Sequence, residues 1–122
     1  MDNSVQKNMW KTYSKAWSEP DEGKRLELFE KSVSPHCDYA DPLIQMGGYR
    51  ALSGYMAELQ KQVPGIKFVT TAFKTHHDKS LAQWNMVDGN GNLLAPGISA
   101  LTHSLDGRLV EMSGFFDPPG AA

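Results

Sequence analysis

Ile98-Ser-Ala-Leu-Thr-His-Ser-Leu105, then Asp106-Gly107, then Arg108-Leu-Val-Glu-Met-Ser-Gly-Phe-Phe116 is the stretch whose reading decides the fold. Two alternating runs flank Asp-Gly, the strongest short hairpin signal in the chain. With a two-residue turn, Leu105 pairs with Arg108, His103 with Val110, Leu101 with Met112 and Ser99 with Gly114. Alternation then sorts the faces. One carries Ser99, Leu101, His103, Leu105, Val110, Met112, Gly114 and Phe116, and as the more apolar face it is expected to meet a core. The other carries Ala100, Thr102, Ser104, Leu109, Glu111, Ser113 and Phe115, which suits either solvent or a second copy of the chain.

Moving outward, Lys67–Thr75 and Lys79–Val87 also alternate with period two, and Asp88-Gly89-Asn90-Gly91 marks a turn after them. Upstream the period changes to that of helices. Val5, Met9, Tyr13, Ala16 and Trp17 form one stripe that Pro20 ends, and Leu26, Phe29 and Val33 form a second that Ser34-Pro35 ends. The carboxylates of Asp21 and Glu22 suit the positive end of that second helix. Between Pro35 and Pro42 there is room for only a brief strand, which delivers Asp41 at its end. Gly47-Gly48 then opens a third helix carrying Leu52, Met56, Leu59 and Val63, and Pro64-Gly65 breaks it. Three helices followed by antiparallel strands predict an α+β fold with the helices on one face of the sheet.

A chain of 122 residues with 40% hydrophobic content has room for one core and a modest internal pocket, so a single domain over 1–122 with its core at about 5–117 is expected. Twelve Lys+Arg against fourteen Asp+Glu, scattered without a basic run, argue against nucleic acid and anionic lipid as partners. No window resembles a membrane span or a signal peptide, so a cytoplasmic location is the default expectation. The single cysteine, Cys37, excludes an intrachain disulfide and a Cys-based zinc site and reads as an inert small residue. His76-His77-Asp78 reads as a turn between strands, because neighbours on a strand point to opposite faces, and no metal or other cofactor is expected.

The order helix, helix, Tyr39-Ala40-Asp41-Pro42, helix ending in Val63-Pro64-Gly65, strands, and Leu105-Asp106-Gly107-Arg108-Leu109 running to Gly114-Phe115-Phe116-Asp117 resembles the nuclear transport factor 2 superfamily, in its SnoaL-like branch. The resemblance implies a cone: a curved antiparallel sheet wrapped around three N-terminal helices, a cystatin-like α+β barrel with a blind apolar pocket. It also implies pairing of two copies through the outer face of the sheet. Members of that superfamily include isomerases, polyketide cyclases and non-catalytic binding proteins, so the chemistry stays open.

In the isomerase branch the aspartate of an Asp-Pro pair is a general base, and Asp41-Pro42 matches it. A carboxylate at the mouth of an apolar cone is partly desolvated and so a stronger base. The alternative is that Asp41 caps its own loop through an Asx-turn. The isomerase's oxyanion donors fall here at Trp17 and Ser99, which are not the expected residues, although an indole N–H and a hydroxyl both donate. His103 is the candidate acid/base of a cyclase, or else a satisfied core histidine. The expected pocket is lined by Tyr13, Trp17, Met56, Trp84, Ser99, Met112 and Phe116, with Asp41 and His103 as its catalytic pair. The expected ligand is a small apolar carbonyl compound, turned over without cofactor by an isomerase or cyclase. Whether the chain is an enzyme stays open against a non-catalytic binding or dimerisation module.

Overall fold

The computed structural model describes residues 3–117. Its elements run α1 (Asn3–Ala16), α2 (Glu22–Ser32), β1 (Val33–Asp41), β2 (Ile44–Gly47), α3 (Tyr49–Gln62), β3 (Lys67–His76), β4 (Lys79–Val87), β5 (Leu93–His103) and β6 (Leu109–Phe115). The six strands form one curved, unclosed sheet in the order β2-β1-β6-β5-β4-β3, so the expected α+β cone is present. None of the described helices is long and apolar enough to cross a membrane.

Local chemistry explains the helix boundaries. The Asp21 carboxylate accepts the Lys24 N–H at 2.9 Å and caps α2, as the acidic pair at its start predicts. Gly48, at φ +85, sits in the left-handed region and turns the chain into α3. The helical stripes bury Trp10, Tyr13 and Ala16 from α1, Phe29 from α2, and Leu52 and Met56 from α3. Arg25 is buried too. Its guanidinium donates to Ser53 Oγ at 2.9 Å and to the carbonyls of Glu19 and Pro20 at 2.9 and 3.1 Å, tying the α1–α2 loop to α3. Among the described residues no buried side-chain nitrogen or oxygen lacks a partner.

Several strand assignments differ from the sequence reading, and β5 begins at Leu93 and ends at His103 rather than running from Ile98 to Leu105. β1 starts directly after α2 at Val33, and β2 was not foreseen; it folds back on β1 with Asp38 opposite Gly47 and Asp41 opposite Ile44. Only Pro42-Leu43 separates the two, and four residues carry too short an alternation to register as a strand. β1 also pairs with β6 in parallel, Ala40 opposite Ser113, so the sheet is mixed rather than purely antiparallel. Its register shifts between Val33 and Asp38, where Pro35 has no N–H to give the ladder.

The terminal hairpin is the instructive correction. The Ser104 N–H donates to the Arg108 carbonyl at 2.7 Å and the Gly107 N–H to the Ser104 carbonyl at 2.9 Å, with Gly107 at φ +92. The loop is therefore three residues, Leu105-Asp106-Gly107, a turn closed by a left-handed glycine. A bulge follows: His103 lies opposite Leu109, but Thr102 lies opposite Glu111. The extra loop residue and the bulge cancel. Leu101 still faces Met112 and Ser99 still faces Gly114, as expected, whereas Leu109 is in the core and Leu105 is fully exposed, the reverse of the expected faces.

Candidate functional site

Inside the cone is a cavity of about 390 Å³. Of the expected lining, Tyr13, Trp17, Trp84, Ser99 and Phe116 are in its wall, together with Asp41. Gly114 is there as well; a Cβ on it would lie 3.6 Å from Asp41 Cβ, so the glycine keeps the floor beside the carboxylate bare. Two further hollows, of about 690 and 460 Å³, are grooves on the exterior, the first edged by Lys11, Lys15, Lys24, Lys31 and Lys67 between α1, α2 and β3.

Asp41 is held by three donors. Its Oδ1 accepts the Leu43 N–H at 2.8 Å, the Asx-turn that Asp before Pro suggests. Its Oδ2 accepts the hydroxyls of Tyr39 at 2.6 Å and Tyr55 at 2.7 Å. Burial pushes the Tyr39 hydroxyl far above the phenol range, with Tyr13 and Asp41 adding to it; for Tyr55 burial leads and Asp41 follows. Both phenols thus keep their protons and act as fixed donors to the carboxylate. Tyr13 is likewise pushed up by burial, against a hydrogen bond with Trp17.

Tyr39, Tyr55 and Phe68 were missed by the sequence reading. Tyr39 was within reach of it, since it precedes Asp41 by two on one strand and so shares its face. Tyr55 comes from α3, one residue before the expected Met56, and only the docking of that helix brings it to Asp41.

Three expected lining residues lie elsewhere. Met56 and Met112 are in the packed core and do not contribute to the cavity wall: α3 turns Tyr55, Leu59 and Gln62 toward it instead of Met56, and from β6 the wall takes Gly114 rather than Met112. His103 is buried at the turn end of the hairpin, outside the cavity. Its Nδ1 lies 2.7 Å from the Gly107 carbonyl and its Nε2 2.7 Å from Ser80 Oγ. A carbonyl only accepts, so Nδ1 carries the proton and Nε2 accepts from the serine. Burial holds its pKa below the ordinary histidine value, which keeps the ring neutral. The satisfied core histidine is the arrangement found.

Opposite Asp41, two strands away along the row Asp41, Gly114, Ser99, the Ser99 hydroxyl accepts the Trp84 indole N–H at 3.0 Å. The Trp10 indole is similarly spent on Thr70 Oγ1 at 2.9 Å. His76 and His77 meet at the β3–β4 turn with their Nδ1 atoms 3.2 Å apart, the chain turning there with His77 at φ +51. Among the described residues no three metal-ligating side chains gather.

No protein-family model matches the chain, and no curated protein does. Solved structures match along nearly its whole length. A SnoaL-like family protein from Agrobacterium tumefaciens strain C58, described as a candidate isomerase, superposes with a TM-score of 0.85 at 24% identity, covering 94% of this chain and 99% of the other. A candidate polyketide cyclase from Sinorhizobium meliloti gives 0.70 at 15% identity, over 88% and 93% of the two chains. An NTF2-like protein of unknown function from Cytophaga hutchinsonii gives 0.71 at 12%, over 93% and 90%. These likenesses show the fold, a curved-sheet α+β cone shared with proteins described as SnoaL-like and NTF2-like.

Proposed function

We propose that the cone binds a small, largely apolar carbonyl compound and that Asp41 moves a proton on it, as an isomerase or cyclase does. The observation that carries this reading is the placement of the Asp41 carboxylate in a largely apolar, aromatic-rich wall, beside the bare Gly114 and across from the Ser99 hydroxyl. In the proposed step Asp41 Oδ2 takes a proton from the carbon next to the carbonyl, and the electron pair moves onto the carbonyl oxygen. Ser99 supports the developing charge: its oxygen already accepts from Trp84, which leaves its own proton to give. The structural neighbours described as a candidate isomerase and a candidate polyketide cyclase agree with this class of chemistry.

A non-catalytic binding role is the second reading, and a specific observation favours it. Both oxygens of Asp41 already accept hydrogen bonds, from the Leu43 N–H and from the hydroxyls of Tyr39 and Tyr55, so the carboxylate is tied into the wall without a substrate. A panel of enolisable ketones screened for thermal stabilisation, then followed by NMR for exchange of the α-proton in deuterium oxide, separates the two. For a catalyst, Asp41→Asn slows exchange by about a hundredfold or more, the usual scale of a lost general base, while the ketone still binds. Wild-type protein that binds such ketones and exchanges none of them sinks the enzymatic reading. Pairing of two copies belongs to the same proposal. Val69, Leu81 and Phe115 stand exposed on the outer face of the sheet, and light scattering of a Phe115→Lys variant tests their role.

A further inference from the structure

The cavity wall has a one-sided electrostatic character. Among the described residues its charged side chains are Asp41 and Asp117, both negative, with no lysine, arginine or histidine. Six rings run around it in continuous contact. Tyr39 and Tyr55 lie 5.9 Å apart by ring centroids, each within 6 Å of Trp17; Trp17 then meets Phe68 at 5.3 Å, Phe68 meets Trp84 at 5.1 Å, and Trp84 meets Phe116 at 6.2 Å. The polar edges of several wall aromatics are already committed. Tyr39 and Tyr55 give their hydroxyl protons to Asp41, and Trp84 and Trp10 give their indole protons to Ser99 and Thr70. What remains for a ligand is chiefly the aromatic surface of these rings, the Asp41 and Asp117 carboxylates and the Ser99 hydroxyl.

From this we infer that the ligand class of the cone is cationic: an apolar body bearing a protonated amine or quaternary ammonium, held over the aromatic faces with Asp41 as counter-ion. Ring faces attract a cation, and do so more strongly once it is desolvated. An anion in the same place has no counter-charge and meets the Asp41 carboxylate instead. The lysines of the exterior groove do not change this. They are exposed, so their ammonium groups stand in water and are screened, and that groove shares only Ser14 and Phe68 with the cavity lining.

The inference rests on the ligand-binding part of the proposed function and not on turnover. Three probes of near-identical shape test it: phenyltrimethylammonium, tert-butylbenzene and benzenesulfonate. Binding is titrated by NMR, following the indole N–H resonances of Trp17 and Trp84, which distinguish the cavity from the lysine groove. The ammonium is expected to bind at least about tenfold more tightly than tert-butylbenzene, the fold-change that a desolvated cation–π contact gives, and benzenesulfonate not to shift those resonances. Asp41→Asn, which keeps the side-chain shape, is expected to lower ammonium affinity about tenfold while leaving tert-butylbenzene unchanged, the hydrocarbon serving as the folding control. Equal or tighter binding of the hydrocarbon or the sulfonate at these indoles overturns the inference. So does an ammonium that fails to bind. Loss of proton exchange with cation preference retained counts against the enzymatic reading alone, and exchange retained with anion preference counts against this one alone.

Discussion

Replacing Gly97 with Ala tests how the cavity is kept open. Gly97 lies opposite Trp84 in the β4–β5 ladder, and the indole lies over it. A Cβ at that position would be 2.2 Å from Cη2, 2.4 Å from Cζ2 and 2.7 Å from Cζ3 of Trp84, far inside contact distance. The ring is rigid and has little freedom to yield, because Nε1 is bonded to Ser99 and Phe68 and Phe116 pack against it. The variant must therefore push the indole aside. Overpacking of this kind costs about 1–3 kcal/mol, and losing the indole hydrogen bond about 1 kcal/mol more. Against that, alanine gains roughly 0.5–1 kcal/mol over glycine in a strand. The net expectation is a loss of about 2 kcal/mol, combined from these three contributions. Urea unfolding followed by tryptophan fluorescence reads it. In a Trp84→Phe background the distal ring is gone, so the same Gly97→Ala change is expected to cost less than about 0.5 kcal/mol, a coupling between contacting residues that a double-mutant cycle isolates. A Gly97→Ala variant as stable as wild type, or one equally destabilised in both backgrounds, refutes the account of Gly97 as the seat of the indole.

The hairpin register predicts a contrast: Leu109→Ala, at a fully buried site, costs about 2–5 kcal/mol in chemical denaturation, whereas Leu105→Ala, fully exposed, stays within about 0.5 kcal/mol. The reverse contrast would restore the two-residue turn, and similar losses at both sites would refute the observed register. His103 predicts a pH dependence. Its native pKa is held below the ordinary 6.5, so the unfolded chain binds more protons in the interval between them. Its contribution to stability is complete above about pH 6.5 and is lost as pH falls through the depressed native value. His103→Gln should flatten that part of the stability profile, and an unchanged slope would assign it to other groups. Arg25→Met should destabilise by about 2–4 kcal/mol, since it strips Ser53 and the Glu19 and Pro20 carbonyls of a charged donor. Thermal unfolding checks it, and a loss under 1 kcal/mol, on the scale of an ordinary surface change, would show those groups find other partners.

The parts of the fold legible in the sequence are those dictated by local periodicity. The stripes through Tyr13, Phe29 and Leu52 and the pairing of Ser99 with Gly114 follow from spacing alone. Sequence spacing does not distinguish a two-residue loop from a three-residue loop followed by a bulge, because both return to the same register at Leu101 and Met112. Leu105 and Leu109, which lie between the two offsets, change sides. Asp41 was legible through its proline, and Ser99, Trp17 and Trp84 through strand and helix phase. Tyr55 and Phe68 were not, since their place in the site depends on how α3 and β3 dock. His103 shows the converse limit: its face was read correctly, but its depth along the strand puts it against Gly107 and Ser80 rather than the cavity.

The parallel pairing of β1 with β6 has a consequence for the order in which the site comes into being. Asp41 is set in the first strand, yet the strand that gives its side of the cavity a floor, through Gly114, is the last element of the sheet. Closing that contact joins segments far apart along the chain, a slow class of folding event. A growing polypeptide can assemble its helices and the β1–β2 hairpin early, but the carboxylate has no cavity to serve until β6 arrives. Partly folded forms therefore expose one side of β1 as an unpaired edge and lack a finished site, so binding competence and completion of the sheet should emerge together.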